Sequence, residues 1–242
     1  MARLNTGDEV FESLTAIDLY REAPAAHGDT LTTAAILQSD LTTTVAAITN
    51  FAALDPVLIA GDAGHELNSV DGAPAGLIIT LLRKLVFAQS IGARVVEMVK
   101  VPIGHIGEDS AEYSGSPAVN AVAAATSKFP IAYIAVGGEL GFKFSLLGYN
   151  IENLQLAFGV VENVIGVGTA ADPYQGGVGL SSPPHGLLAF RARGVRKDGS
   201  LTEVDFLGCT ITGSPTENIS GKSGRPIPIE GRCLNHVKRI WK

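Results

Sequence analysis

From 130 to 147 the chain runs Pro130-Ile131-Ala132-Tyr133-Ile134-Ala135-Val136-Gly137-Gly138-Glu139-Leu140-Gly141-Phe142-Lys143-Phe144-Ser145-Leu146-Leu147. Two apolar runs flank Gly137-Gly138, and a two-residue Gly-Gly loop is a strong signal for a primed hairpin turn. Pairing Val136 with Glu139 sets Ala135 opposite Leu140, Tyr133 opposite Phe142 and Ile131 opposite Phe144, so one face is wholly apolar. The other face sets Ala132 opposite Lys143. That split predicts a strand pair over 130–147 with one face on a core.

The residues that follow, Tyr149 to Gly159, predict a short helix over 150–158. Asn150 suits the N-cap, Glu152 the first turn, Tyr149 and Leu154 a hydrophobic staple, and Gly159 the left-handed C-cap. Ile151, Leu154 and Phe158 share the face that would lie on the sheet.

A second hairpin is expected from Gly186 to Gly208 around Lys197-Asp198-Gly199, with Gly199 in the left-handed position of a three-residue loop. Phe190 then faces Phe206 and Ala192 faces Val204 on one side. Arg191 faces Asp205 and Arg193 faces Glu203 on the other. A two-residue loop would set Ala192 against Asp205, so the pattern prefers three. Read as exposed pairs, the opposed charges each contribute about 0.2 to 1 kcal/mol, enough to favour a register.

The first half speaks less clearly. Pro56 to Gly61, Gly76 to Ala88 and Arg94 to Val101 read as strands or buried segments, with a turn at Asp71-Gly72. Gly76 to Ala88 suits helix or strand equally. Residues 24–50 are rich in Ala and Thr, and Glu108 to Ser127 in small residues; long loops or arms are expected in 1–50 and 104–128. With 242 residues the chain reads as a single domain, mainly β with at least one helix.

Apolar residues make up 46% of the chain and charged residues 17%, below the roughly 25% usual for a globular protein. A membrane span does not explain the deficit: the apolar stretch Ala75 to Leu82 includes Thr80 and meets Arg83-Lys84, far short of ~20 residues. Asp8, Glu9 and Glu12 near the start do not resemble a secretory signal, which disfavours a secreted adhesin. Two explanations stay open: a surface that largely faces other copies of the chain, or a monomer with a charge-poor surface.

The net charge of -6 is unevenly spread. Residues 1–120 carry six Lys and Arg against 15 Asp and Glu, whereas residues 221–242 carry six against one. An acidic body argues against nucleic-acid binding by phosphate neutralisation. The basic end reads either as a solvated terminus or as a segment that docks on an acidic face of a neighbouring copy.

Little in the sequence points to chemistry. Gly166-Val167-Gly168-Thr169-Ala170-Ala171 has dinucleotide-fingerprint spacing, but Asp172-Pro173 stops any helix and no acidic residue follows before Asp198. Gly221-Lys222-Ser223 lacks the earlier glycine of a phosphate loop, Thr216 standing in its place. The five histidines, His27, His65, His105, His185 and His236, are dispersed, and no Gly-x-Ser-x-Gly elbow exists. Neither catalytic residues nor a metal or cofactor site is expected, although distant residues can converge on a site unseen. Cys209 and Cys233 are too few for a paired-Cys zinc site; free thiols and a disulfide, within or between copies, both stay open.

From Glu139 to Gly159, a strand of alternating apolar residues running into Tyr149-Asn150-Ile151-Glu152-Asn153-Leu154 and ending at Gly159, the chain resembles bacteriophage tail tube proteins. The likeness covers mainly residues 130–242. It implies a β-sandwich or barrel-like fold flanked by a short helix, with subunits in hexameric rings whose sheets join into a continuous barrel. Stacked rings would form the conduit for DNA ejection, in a virion tail assembled in the host cytoplasm. The implied partners are further copies of the chain, other tail proteins and, in a contractile tail, a sheath. DNA would pass through the lumen without specific binding, and no membrane is involved. Acidic first-half residues are expected to line that lumen, repelling phosphate so that DNA slides. The nearest rivals are a head-tail connector, a tail terminator or a capsid decoration protein, and beyond them a small-molecule enzyme.

Overall fold

The computed structural model of the chain describes residues 11–23, 27–101, 103, 106, 111–122, 132–147, 156, 161–165, 169–172, 175–178, 188–196, 198–212 and 226–241. Its strands are β1 (Phe11–Glu22), β2 (Asp29–Leu31), β3 (Thr42–Thr44), β4 (Pro56–Gly61), β5 (Gly64–Ser69), β6 (Ile78–Thr80), β7 (Arg94–Val101), β8 (Glu112–Val122), β9 (Ala132–Leu146), β10 (Val161–Ile165), β11 (Gln175–Val178), β12 (Leu188–Arg196), β13 (Leu201–Ile211), β14 (Ile227–Cys233) and β15 (Asn235–Trp241). All pairing among them is antiparallel, and an eleven-stranded sheet runs β5-β4-β7-β1-β12-β13-β14-β9-β8, with β15 on β13 and β2 on β7. The sheet does not close into a barrel. β10 with β11, and β3 with β6, form two small separate sheets.

Side-chain alternation sorts the apolar residues into three clusters. Val57 and Ile59 of β4 and Val95 of β7 join Ile36, Val45, Phe51, Ile79, Leu81 and Leu85 on one side. Their sequence neighbours Leu58, Val96 and Met98 point the other way, meeting Leu67, Tyr20, Ala189, Leu207 and Val237. β4 and β7 are therefore buried on both faces, which is why they read in sequence as unbroken apolar runs. The third cluster holds Phe190, Ala192, Val204 and Phe206 of β12 and β13 with Phe142, Phe144 and Leu146 of β9. Phe142 and Phe190 lie 4.9 Å apart, and Phe144 meets Phe190 edge-on at 5.4 Å, the tilted arrangements that aromatic quadrupoles prefer.

The β12–β13 hairpin forms in the expected register: Phe190 opposes Phe206, Arg191 opposes Asp205, Ala192 opposes Val204 and Arg193 opposes Glu203. Gly199 has a φ of 79°, and the Gly199 amide closes the turn on the Arg196 carbonyl at 2.9 Å. β4 and β7 occupy the expected 56–61 and 94–101, while Gly76 to Ala88 contributes only the three residues of β6.

Three expectations are corrected. Gly137-Gly138 is not a hairpin turn: 132–146 is one strand, and the offset from β8 shifts beside the glycines, between Ala118–Gly137 and Val119–Ala135. The β8 ladder registers eleven residue pairs, more than the hairpin could, and β14 pairs with β9 on its other side. Longer pairing on both sides outweighs a local turn preference, and a bulge absorbs the irregularity. The expected one-sided apolar alternation persists within the single strand, since Phe142, Phe144 and Leu146 are buried and Lys143 is exposed.

Residues 1–50 and 104–128, expected as loops or arms, contain the central strand β1 and the strand β8, and Thr30, Thr32, Ile36, Thr43 and Val45 are buried. Threonine suits strands, and its hydroxyl can bond backbone of a distant segment, as where Thr32 donates to the Ser90 carbonyl and accepts from the Ala93 amide. Finally, the charge pairs of β12 and β13 are not both exposed: Arg191, Asp205 and Glu203 are buried, and only Arg193 remains exposed as expected. The expected helix 150–158 lies outside the described residues except for Leu156, which is helical and buried in the aromatic cluster.

Candidate assembly interface

The two ends of the main sheet differ in how their outer strands are bordered. At one end, β8 borders β9 along its whole length, and no strand among the described residues borders its other side. Glu112, Tyr113, Ser114 and Gly115 are exposed. β9 behind it is held by the aromatic cluster on one face and by β14 from Ile227 to Cys233. Glu112 and Lys143 oppose each other and pair at 2.7 Å, and the hydrogen bond from Lys143 to Glu112 raises the lysine pKa. Among the described residues, therefore, β8 is a sheet edge paired on one side only, the kind of border to which a further strand can add.

The signal for this edge was present but unread. Pro117 lies within β8, and proline inside a strand is confined almost entirely to edges and bulges because it cannot donate to a ladder.

At the other end, side chains cover β5. Asn235 accepts a hydrogen bond from the His65 amide and donates one to the His65 carbonyl, both at 2.9 Å. Asn68 accepts from the Arg83 amide at 3.1 Å and donates to the Arg83 carbonyl at 2.7 Å, and the Leu82 amide donates to the Ser69 carbonyl at 2.8 Å. Glu66 Oε2 accepts from the Val86 amide at 2.8 Å. Burial raises the Glu66 pKa, an effect opposed by the Val86 amide and by Arg239.

Behind that covered edge lies a buried ionic network that joins distant parts of the chain. Arg191 grips Asp205 with Nε at 2.6 Å and Nη2 at 3.0 Å, and Arg239 reaches Asp205 at 2.6 Å and Glu66 at 3.0 Å. Arg83 pairs with Glu203, and its guanidinium lies over the Trp241 ring at 5.6 Å. Burial works against the Arg191 charge, but hydrogen bonding and attraction from Asp205, then Glu203, outweigh it and raise the pKa. The basic C-terminal end is therefore partly consumed within its own chain through Arg239, where the sequence suggested solvent or a neighbouring copy.

Cys209 and Cys233 are brought together: both are free, buried and in hydrogen-bond contact. The histidines remain scattered, and His105 and His185 lie outside the described residues, as do Gly166–Gly168 and Gly221–Ser223. Glu22, His27 and Asp29 place ligand-type atoms within 4.8 Å of one another. Arg94 already reaches this cluster, at 2.5 Å from Glu22 and 2.8 Å from Asp29, and its hydrogen bond lowers the Asp29 pKa. One guanidinium thus bridges both carboxylates and offsets one of their two charges. A groove of about 310 Å³ lies against β8, β9 and β14, lined by Glu112, Ser114, Lys143, Glu230 and Arg232 among others, and its charges alternate in sign. Compared with models of known protein families and with curated proteins, the chain matches none.

Proposed function

We propose that the chain is a structural subunit of a bacteriophage tail tube, which builds its wall by pairing the β8 edge with a neighbouring copy. The observation that carries this reading is the contrast between β8, 11 residues long and with no described strand on its outer side, and β5, whose border is bonded by Asn235 and the Leu82 amide. Ring closure satisfies such an edge without leaving a template for uncontrolled growth, and a cyclic arrangement of identical copies is the usual closed solution. The low charged share and exposed Leu31, Leu37, Leu77, Leu82 and Ile91 suit a subunit buried on several sides. The tail tube assignment itself rests on the resemblance at Glu139 to Gly159. On this reading hexameric rings stack into a DNA conduit, each subunit adding its sheets to a common barrel, and the acidic balance keeps phosphate from sticking to the wall.

Negative-stain imaging of the purified chain tests the proposal. Open-ended tubes or stackable rings are expected, and the exposed-edge variant Ser114→Lys, which places a charge where a neighbour would pair, should abolish them. Rings that never stack would point to a connector or terminator. A chain that stays monomeric at high concentration would refute assembly altogether.

A further inference from the structure

The ladder sets Cys209 and Cys233 face to face. β13 pairs with β14 at Thr210–Arg232 and Ile211–Gly231, and with β15 at Leu207–Asn235. Carried one residue past Thr210–Arg232, that offset brings Cys209 alongside Cys233, and beyond them the Leu234 amide ties the two strands by donating to the Leu207 carbonyl at 3.0 Å. The two sulfurs are close enough to interact directly.

Both side chains point into the aromatic cluster, although Cys209 is an odd number of residues from Phe206 on the same strand. Gly208 makes this possible. It is the extra residue between the Leu188–Cys209 and Ala189–Leu207 pairs, with a φ of 61°, and a Cβ there would stand 2.9 Å from Leu234. The bulge turns the Cys209 thiol to the face on which Cys233 already sits.

We infer that Cys209 and Cys233 are an oxidation site at which a hydroperoxide joins β13 to β14 by an intrachain disulfide. With hydrogen peroxide, the Cys233 sulfur attacks one peroxide oxygen, the O–O bond breaks, and sulfenic acid and water form. The Cys209 sulfur then displaces that hydroxyl as a second water, losing its proton, and the S–S bond closes; two electrons pass to the peroxide. Cys233 takes the first step because burial raises the pKa of Cys209 and keeps it a thiol. The bond would reinforce the short β13–β14 ladder, through which the sheet continues to β9 and β8. This inference is independent of the tail tube reading.

The test uses the folded full-length chain with dilute hydrogen peroxide. The intact mass should fall by two hydrogens, both thiols should become untitratable after unfolding, and non-reducing gels should show a single chain, all reversed by dithiothreitol. Cys209→Ser should accumulate a dimedone-reactive sulfenic acid at Cys233, and Cys233→Ser should leave Cys209 much slower to react. Two titratable thiols after treatment, a disulfide between chains, or sulfinic acid as the main product would overturn the site. These wild-type readouts suffice if a serine variant misfolds.

Discussion

The main sheet treats its two edges in opposite ways. β5 is bonded by Asn235 and by the Leu82 amide, and its own Asn68 and Glu66 side chains bind the Arg83 and Val86 backbone, so that border meets two separate stretches of the chain. β8 is longer, lies at the end of the same sheet, and has no described strand on its outer side. The short edge is closed by an asparagine side chain and a neighbouring loop, and the proposed assembly rests on the long one lacking such a strand among the described residues.

The largest effect is expected from Asp205→Ala, which strips Arg191 and Arg239 of their shared carboxylate at the covered end. Leaving buried charge uncompensated costs about 3 to 5 kcal/mol, measurable by urea unfolding. A loss below about 1 kcal/mol would mean that the network does not anchor that end. Next, Asn235→Ala uncaps β5 while leaving the ladder intact. It should cost about 1 to 3 kcal/mol and add a self-association at that edge, read by sedimentation. A variant as stable and as soluble as the parent would dissolve the contrast between the two edges.

A smaller effect separates two carboxylates by the sign of their pH dependence. Burial raises the Glu66 pKa above its unfolded value, so its stabilising contribution is full below the unfolded carboxyl range and is lost as pH rises through the folded value. Asp29, lowered by Arg94, has the opposite sign: its contribution is present above its unfolded pKa and is lost as pH falls through the folded one. Unfolding curves for Glu66→Gln and Asp29→Asn from neutral pH downwards should diverge from wild type in opposite directions. Parallel curves would contradict the assigned causes. Smallest for stability is Ser114→Lys at the open end, expected within about 0.5 kcal/mol of the parent in unfolding while assembly disappears. If assembly survives unchanged, β8 is not the joining edge.

Some of this was readable from residues and some was not. Pro117 marked the open edge, yet the small residues around it suggested a loop, since their weak periodicity hides a strand whose pairing supplies most of its order. Gly137-Gly138 carried a real turn preference that lost to an eleven-pair ladder with a strand whose sequence gave no sign of it. The covered edge needed Asn235 and His65, which lie 170 residues apart.

From the sequence alone came the β12–β13 register pair by pair, the limits of β4 and β7, and the apolar face of 140–146. Each depends on a side-chain period of two and on turn chemistry a few residues away. Only the tertiary structure decided that Arg191 and Asp205 are buried, that the threonine-rich segment is folded into a core, and that Cys209 meets Cys233. Alternation tells which residues share a face; what covers that face comes from strands far along the chain, and burial follows from the cover.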